Sequence, residues 1–561
     1  MIYNRSDFGL PVNLWLTKED AFIGLILSSL VINLLGLIFP IAVLQFYDRI
    51  IPHKSYGTLT ALIFVILLAL IGETVLKILR AYVSAWSSAR FTYNMGSKLF
   101  RHLLYADLSQ IRLVTPGIYL DKFNSAESIR EYYCGQNLTL LVDIPFIVIY
   151  LGLMFFISPY LSLIPLLVII IMVYTGVWSG VETFKQMESK SNMSEVKSKF
   201  LIEMISGIHT IKALGMEEQF LRRFERLHQR EIMSNFEFIQ KSSENTRNSS
   251  FYSQVAVIFT AFVGGILVIY HGLSVGGLAA SILITGRLML PVTKLITYLE
   301  KRQQLNIAKD DLQFILKYQP EYAEGLLRLD KLDGDIKLSN VSFKYPSSEI
   351  YIFKDINLHV LPKQTIVLHG GLFSGKSTLL RLISSLYKPV EGTIEIDKHN
   401  LKELDLDSYR RKVAYMSESG ELFSGTIMEN LTLFEIDKYG SEAKELAKAL
   451  GFHDIVESMP QAYDTMVGTG TVDLLSKGHK QLILIIRTLL NDPQVILFDE
   501  ANLSLDIDSD VRLRKYLVSK KGQCTMILVT HRPSLIETGD RHFRLEDGKL
   551  TEFKWQQQII Q

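Results

Sequence analysis

At 561 residues, with 48% hydrophobic side chains and a mean hydropathy of +0.20, the chain is too long and too oily for one ordinary soluble domain. Its net charge of +1 and pI near 7.7 create no field for holding nucleic acid, so that class of function is set aside. Only two cysteines occur, Cys134 and Cys524, one in each half, which excludes a disulfide framework and a cysteine metal cluster.

The oily excess lies before about Tyr298. Six apolar stretches approach or exceed the roughly 20 residues that cross a bilayer as a helix. They run over about 21–46, 58–79, 138–157, 161–180, 251–271 and 275–297. The first is too long for a signal-peptide core and is read as a retained membrane helix. Short connections join the third to the fourth and the fifth to the sixth, and carry no lysine or arginine. The long ones, about 80–137 and 181–250, are rich in both, which places them and both termini on the cytoplasmic side. Within the second, Glu195 to Ile232 has apolar residues at helical spacing and predicts one long helix leaving the membrane. Asn33, Glu73, Asp143 and Arg287 interrupt the apolar runs and are expected to face the bundle interior or a wet cavity.

From about Gly334 short β-rich runs alternate with amphipathic helices, the pattern of an α/β domain, and residues 318–333 form a linker of weak pattern. In QTIVLHGGLFSGKSTLLRLISSLY a β-branched strand enters Gly370, four residues, Gly375, Lys376 and Ser377, then an amphipathic helix. That is a P-loop in its required setting. Glycines let backbone N–H groups converge on phosphate oxygens, the helix offers its positive end, Lys376 neutralises phosphate and Ser377 presents a hydroxyl to Mg²⁺. Further on, QVILFDE is an apolar strand ending in Asp499 and Glu500, a pair suited to holding Mg²⁺ and polarising water respectively.

The order of these elements resembles the ATP-binding cassette family across the back half. Gly370, Gly371, Ser374, Gly375, Lys376, Ser377 and Thr378 then make the ATP-binding loop, and Tyr345 in VSFKYP resembles the aromatic that stacks on adenine. LSKGH, followed by a helix through Arg487, sits where the family has its signature, so the resemblance gives Ser476 and Gly478 a role toward a second chain's ATP. Asp506 in SLD resembles the loop after the acidic strand, and His531 in LVTHR the switch histidine beside the catalytic Glu500. Two departures stand out. Glu418 in SESGELF replaces a glutamine, keeping oxygen for Mg²⁺ but losing an N–H donor. Lys477 and His479 replace a glycine and a glutamine, and Lys477 would be strained if that position required positive φ.

Pro40 to Leu59 and GRLMLP (286–291) extend the resemblance to the inner-membrane ATPases of bacterial type I secretion. The fold class implied is a multi-domain membrane protein: a six-helix all-α transmembrane domain of the ABC exporter type over 1–317, then an α/β P-loop ATPase domain over 334–561. Its cofactors would be ATP and Mg²⁺. Its partners would be a second half-transporter, identical or different, an exported polypeptide, a periplasmic adaptor, an outer-membrane channel and the lipid bilayer, with no nucleic acid. The location implied is the bacterial inner membrane, with the ATPase domain cytoplasmic and no N-terminal peptidase domain. Export of lipids or small molecules, and a degenerate regulatory half of a heterodimer, stay open as alternatives.

Overall fold

The computed structural model describes residues 19–111, 114, 116–133, 143–270, 272–321, 326–346, 348–468 and 475–555. These separate into two compact units: described residues up to 319, and those from 320 onward, which also take in the short segment 107–111.

The first unit is helical throughout its regular structure. Five of its helices are long and apolar enough to cross a membrane, within Gly24–His53, Tyr56–Leu104, Pro159–Ser206, Glu217–Tyr270 and Val275–Leu299. The third expected span appears as the shorter apolar helix Phe146–Ile157, and residues 134–142 before it, with Cys134, lie outside the described ones. The helices run far beyond their apolar stretches. Tyr56–Leu104, at 49 residues, is about 74 Å long at 1.5 Å per residue.

The second long connection is not one helix, as its periodicity predicts. Pro159–Ser206 stops at Gly207, a short helix spans Ile208–Leu214, and Glu217–Tyr270 turns back alongside the first. Gly215, at φ +64°, explains the reversal. Its N–H bonds to the Lys212 carbonyl and the Met216 N–H to that of Ile211, the paired bonds of a left-handed helix stop that apolar spacing does not encode. Lys197 with Glu231 at 2.8 Å and Asn245 with Thr183 at 3.1 Å tie the two arms of the hairpin.

The polar interruptions of the apolar runs are mostly paired. Asn33 Nδ2 donates to Asp143 Oδ1 at 2.9 Å, and Arg80 reaches Ser29 Oγ at 2.9 Å and Asp143 at 3.5 Å. Glu73, buried, pairs with Lys77 at 2.6 Å. Arg287 lies against Gly36, which leaves the room its guanidinium fills. At the end of the first span the helix widens to a π turn over Phe46–Ile50. Asp48 there accepts from Ser274 Oγ at 2.5 Å and Gly276 N at 2.9 Å, joining the start of the last long helix, Val275–Leu316.

The second unit is built on two main sheets. β1 (Ile336–Phe343), β2 (Phe353–Val360), β4 (Glu391–Ile396) and β5 (His399–Asn400) form an antiparallel sheet in the order β2-β1-β4-β5. The larger contains β3 (Thr365–His369), β6 (Val413–Met416), β9 (Val495–Asp499), β10 (Thr525–Val529), β11 (Arg541–Glu546) and β12 (Lys549–Phe553), in the order β12-β11-β3-β10-β9-β6. A small pair, β7 (Gly425–Thr426) and β8 (Met466–Val467), completes the set. Strands β11, β3, β10, β9 and β6 are mutually parallel and their centre is buried on both faces. Ile366, Leu497 and Ile527 enter one apolar core, while their neighbours Val367, Phe498 and Met526 enter the other. Residues 326–335 are stitched onto this unit: the Asp397 carboxylate accepts from the backbone N–H groups of Asp333, Gly334 and Asp335 at 2.7–3.0 Å. Asp107, in the segment 107–111, pairs with Lys388 at 3.0 Å.

Candidate nucleotide-hydrolysis site

In a parallel sheet the carboxyl ends of all strands open on one edge, where ligands bind. Here β3 delivers the loop 370–377, β9 delivers Asp499 and Glu500, β10 delivers His531, and β6 delivers Ser417 and Glu418. The sheet order makes β3, β10, β9 and β6 consecutive, so residues as far apart in sequence as Gly370 and His531 converge.

The loop after β3 ends at Gly375, whose φ of +98° and proximity to Ile352 and Phe353 leave no place for a Cβ. The helix Lys376–Ile383 starts there. Lys376 is buried and its amine folds back on its own loop, donating to the carbonyls of Gly370 at 2.9 Å and Gly371 at 2.8 Å, and to Ser374 Oγ at 3.3 Å. Burial lowers its pKa, with Glu500 and Asp499 opposing that shift. Leu372 and Phe373 at the loop tip are 87% and 99% exposed, and Phe373 holds φ +64°. Thr378 is buried beneath the loop and shares a 2.9 Å hydrogen bond with the Tyr345 hydroxyl. The Tyr345 ring meets Phe343 and Tyr387 edge-on.

Asp499 is 4% exposed and both its oxygens are engaged: Ser377 Oγ donates to Oδ1 at 2.7 Å and the Tyr415 hydroxyl to Oδ2 at 2.9 Å. A hydroxyl and a carboxylate side by side, with no nitrogen or sulfur donor between them, are the oxygen donors that a hard cation such as Mg²⁺ takes. Glu500 stands at φ +52°, its N–H tied to the Val529 carbonyl at 2.9 Å, a left-handed setting that costs a non-glycine residue about 1 kcal/mol. Its carboxylate meets His531 Nε2 at 3.2 Å. Glu418 is exposed and forms no hydrogen bond with Ser377 or Asp499.

Ser476 accepts from the His479 N–H at 3.1 Å and caps the helix Lys477–Leu489. Lys477 opens the helix without positive φ, so the condition under which it would be strained is not met. The glycine that geometry does require is Gly478, since a Cβ there would stand 2.8 Å from the Ser504 carbonyl oxygen. Among the described residues the His479 Nδ1 is buried without a hydrogen-bond partner. Residues 469–474 before the signature lie outside the described ones.

Several residues here escape a reading of the sequence. Tyr415 donates to Asp499, and Arg381 Nε in turn donates to the Tyr415 hydroxyl at 3.3 Å. Arg532, next to His531, pairs with buried Asp510 at 2.8 Å and donates to the carbonyls of Asn502 and Leu505, both at 3.1 Å, fixing the loop that leads to exposed Asp506. Gln481 donates to the Ser417 carbonyl at 2.9 Å and Arg487 to that of Glu421 at 3.1 Å, so the signature helix holds the segment after β6. Only aromatic or charged residues inside apolar runs hint at these roles, and the partners are distant in sequence.

His369, last in β3, carries a pH-dependent load. Its Nε2 lies 3.1 Å from His542 Nδ1 and Trp555 stacks on its ring. Burial first, then the nearby cations, push its pKa from 6.5 down to about 4, so the folded unit disfavours the charged ring. That stability is complete above about pH 6.5 and is lost as pH falls toward 4. Thermal melting should therefore drop across this window, and His369→Phe should make the drop shallower. An unchanged profile would count against this account.

Long apolar helices in one unit and a P-loop beside an acid-ended strand in the other define a membrane-integral protein with a nucleotide-hydrolysing engine. Residues 22–292 match the ABC transporter transmembrane region and residues 353–502 match the ABC transporter family. The chain belongs to the ABC transporters, has the exporter fold, and is an ATPase that binds ATP. It is 29% identical over 549 residues to the toxin RTX-I translocation ATP-binding protein of Actinobacillus pleuropneumoniae, covering 98% of this chain and 77% of that one. The same figures hold for the alpha-hemolysin translocation ATP-binding protein HlyB of Escherichia coli. A bacterial Atm1-family ABC exporter with ATP bound shares the fold, with a TM-score of 0.84 at 21% identity, over 96% of this chain and 95% of that one.

Proposed function

We propose that this chain is one half of a dimeric exporter that couples ATP hydrolysis to moving a polypeptide across the bacterial inner membrane, its ATPase domain in the cytoplasm. The observation that carries the reading is the meeting of Lys376, the Ser377–Asp499 pair and the Glu500–His531 pair at one sheet edge. The translocation proteins among its relatives support a polypeptide cargo. In this reading phosphates bind the N–H groups of residues 370–377, and Lys376 exchanges its loop carbonyls for phosphate oxygens. Tyr345 carries adenine, and Thr378 anchors Tyr345. Ser377, Asp499 and, from its exposed position, Glu418 would hold Mg²⁺. The ion would neutralise phosphate charge there. Glu500 orients water, held by His531, and a second chain offers its Ser476, Gly478 and Asp506 across the nucleotide. A periplasmic adaptor and an outer-membrane channel would complete the route.

A second reading, a heterodimer in which this chain's signature serves a weaker site, is favoured by the unpartnered His479 Nδ1 and by Glu418. Deleting the gene should remove a polypeptide from the culture medium that wild-type chain restores and a Glu500→Gln chain does not. Retention of every secreted polypeptide would overturn the export reading. Control-sensitive ATPase from the purified homodimer would remove the second.

A further inference from the structure

We propose that Tyr415 is a positioning residue for Asp499, keeping that carboxylate oriented for the cation that accompanies ATP. The proposal rests on the roles given above to Asp499 and Ser377. Its physical basis is the sharing of one carboxylate by two donors. Ser377 holds Oδ1 at 2.7 Å and Tyr415 holds Oδ2 at 2.9 Å. A serine hydroxyl that ligates a cation through a lone pair keeps its O–H donor, so the Ser377 bond to Oδ1 and the Tyr415 bond to Oδ2 together fix the carboxylate. Among the described residues the Tyr415 hydroxyl is the side-chain tether on the second oxygen.

That tether is well made. Tyr415 lies on β6, which pairs with β9 in parallel and sets it across from Leu497, two residues before Asp499. Its hydroxyl donates once, to Asp499, and accepts once, from Arg381 Nε at 3.3 Å, so neither capacity is idle. Arg381 stands four residues after Ser377 on the same helix, one turn along the same face. The phosphate-loop helix therefore reaches Asp499 twice, directly through Ser377 and indirectly through Arg381 and Tyr415.

The test uses the purified full chain in lipid nanodiscs and a fluorescent ATP analogue titrated in EDTA and then with Mg²⁺. Tyr415→Phe should leave EDTA binding unchanged and raise the Mg²⁺ concentration for half-maximal enhancement by about tenfold, the effect of losing one hydrogen bond to a buried carboxylate. In turnover the apparent KM for Mg²⁺ should rise with kcat at saturating Mg²⁺ changed less than about twofold. Arg381→Gln should shift the same midpoint in the same direction but less. In an Asp499→Asn background Tyr415→Phe should add nothing. If Asp499→Asn shifts the midpoint and a stably folded Tyr415→Phe does not, the tether is overturned while the site reading stands. If Asp499→Asn itself leaves the midpoint unmoved, the site reading fails and the proposal with it.

Discussion

Glu500→Gln should cut steady-state ATP hydrolysis by at least about a hundredfold while leaving ATP binding intact, because a positioned general base contributes about 10²–10⁴ in rate. The substitution keeps shape and removes only the basic oxygen's charge. The backbone of Glu500 is held by the Val529 carbonyl at 2.9 Å and its side chain by His531 at 3.2 Å, so a glutamine carbonyl can occupy the same place. A left-handed φ of +52° at a non-glycine residue is tolerated where the surroundings fix it, and here β9 and β10 do so. Phosphate release and equilibrium ATP binding, measured on one preparation, separate the two effects. Retained turnover would remove Glu500 from the role of base.

Lys376→Ala should instead weaken binding, with ATP affinity falling by at least about tenfold, since a charge-assisted hydrogen bond to phosphate contributes about 1.5–3 kcal/mol. It should also weaken the ATP-free protein. The amine bonds the carbonyls of Gly370 and Gly371 at 2.9 and 2.8 Å, and its removal leaves both acceptors short of a donor in a loop that β3 fixes. A lower melting temperature without nucleotide, with a smaller gain on adding ATP than the wild type shows, is the expected pair of results. Unchanged ATP affinity would show that the lysine serves its own loop rather than phosphate.

What could be read in advance follows the range over which each signal acts. The P-loop and the acidic strand were legible because all their parts are local: a β-branched run, glycines, then Lys376 and Ser377, or an apolar run closed by Asp499 and Glu500. The apolar spans were legible for the same reason, while their continuation to Leu104 and Ser206 depends on amphipathic segments packed on distant helices. Gly215 was visible as a residue, but its left-handed φ depends on how the chain turns back. Tyr415 reads as one more apolar strand residue, because its partner Asp499 is 84 positions away and only the pairing of β6 with β9 brings them together. At Lys477 the residue type could set only a condition, strain if the position needed positive φ; a helix start does not need it, and the steric demand lies one residue further at Gly478.

The bond from Asp48 to Ser274 and Gly276 has a mechanical meaning for the bundle. It pins the end of the first span to the beginning of the last long helix. That helix continues to Leu316, 42 residues in all, so its far end is about 60 Å from the pin. Turning as a rod about Asp48, the helix would carry Leu316 by about 1 Å for each degree. A small angular change beside the pin thus becomes a stroke at the other end, with Asp48 as fulcrum and the helix as lever arm.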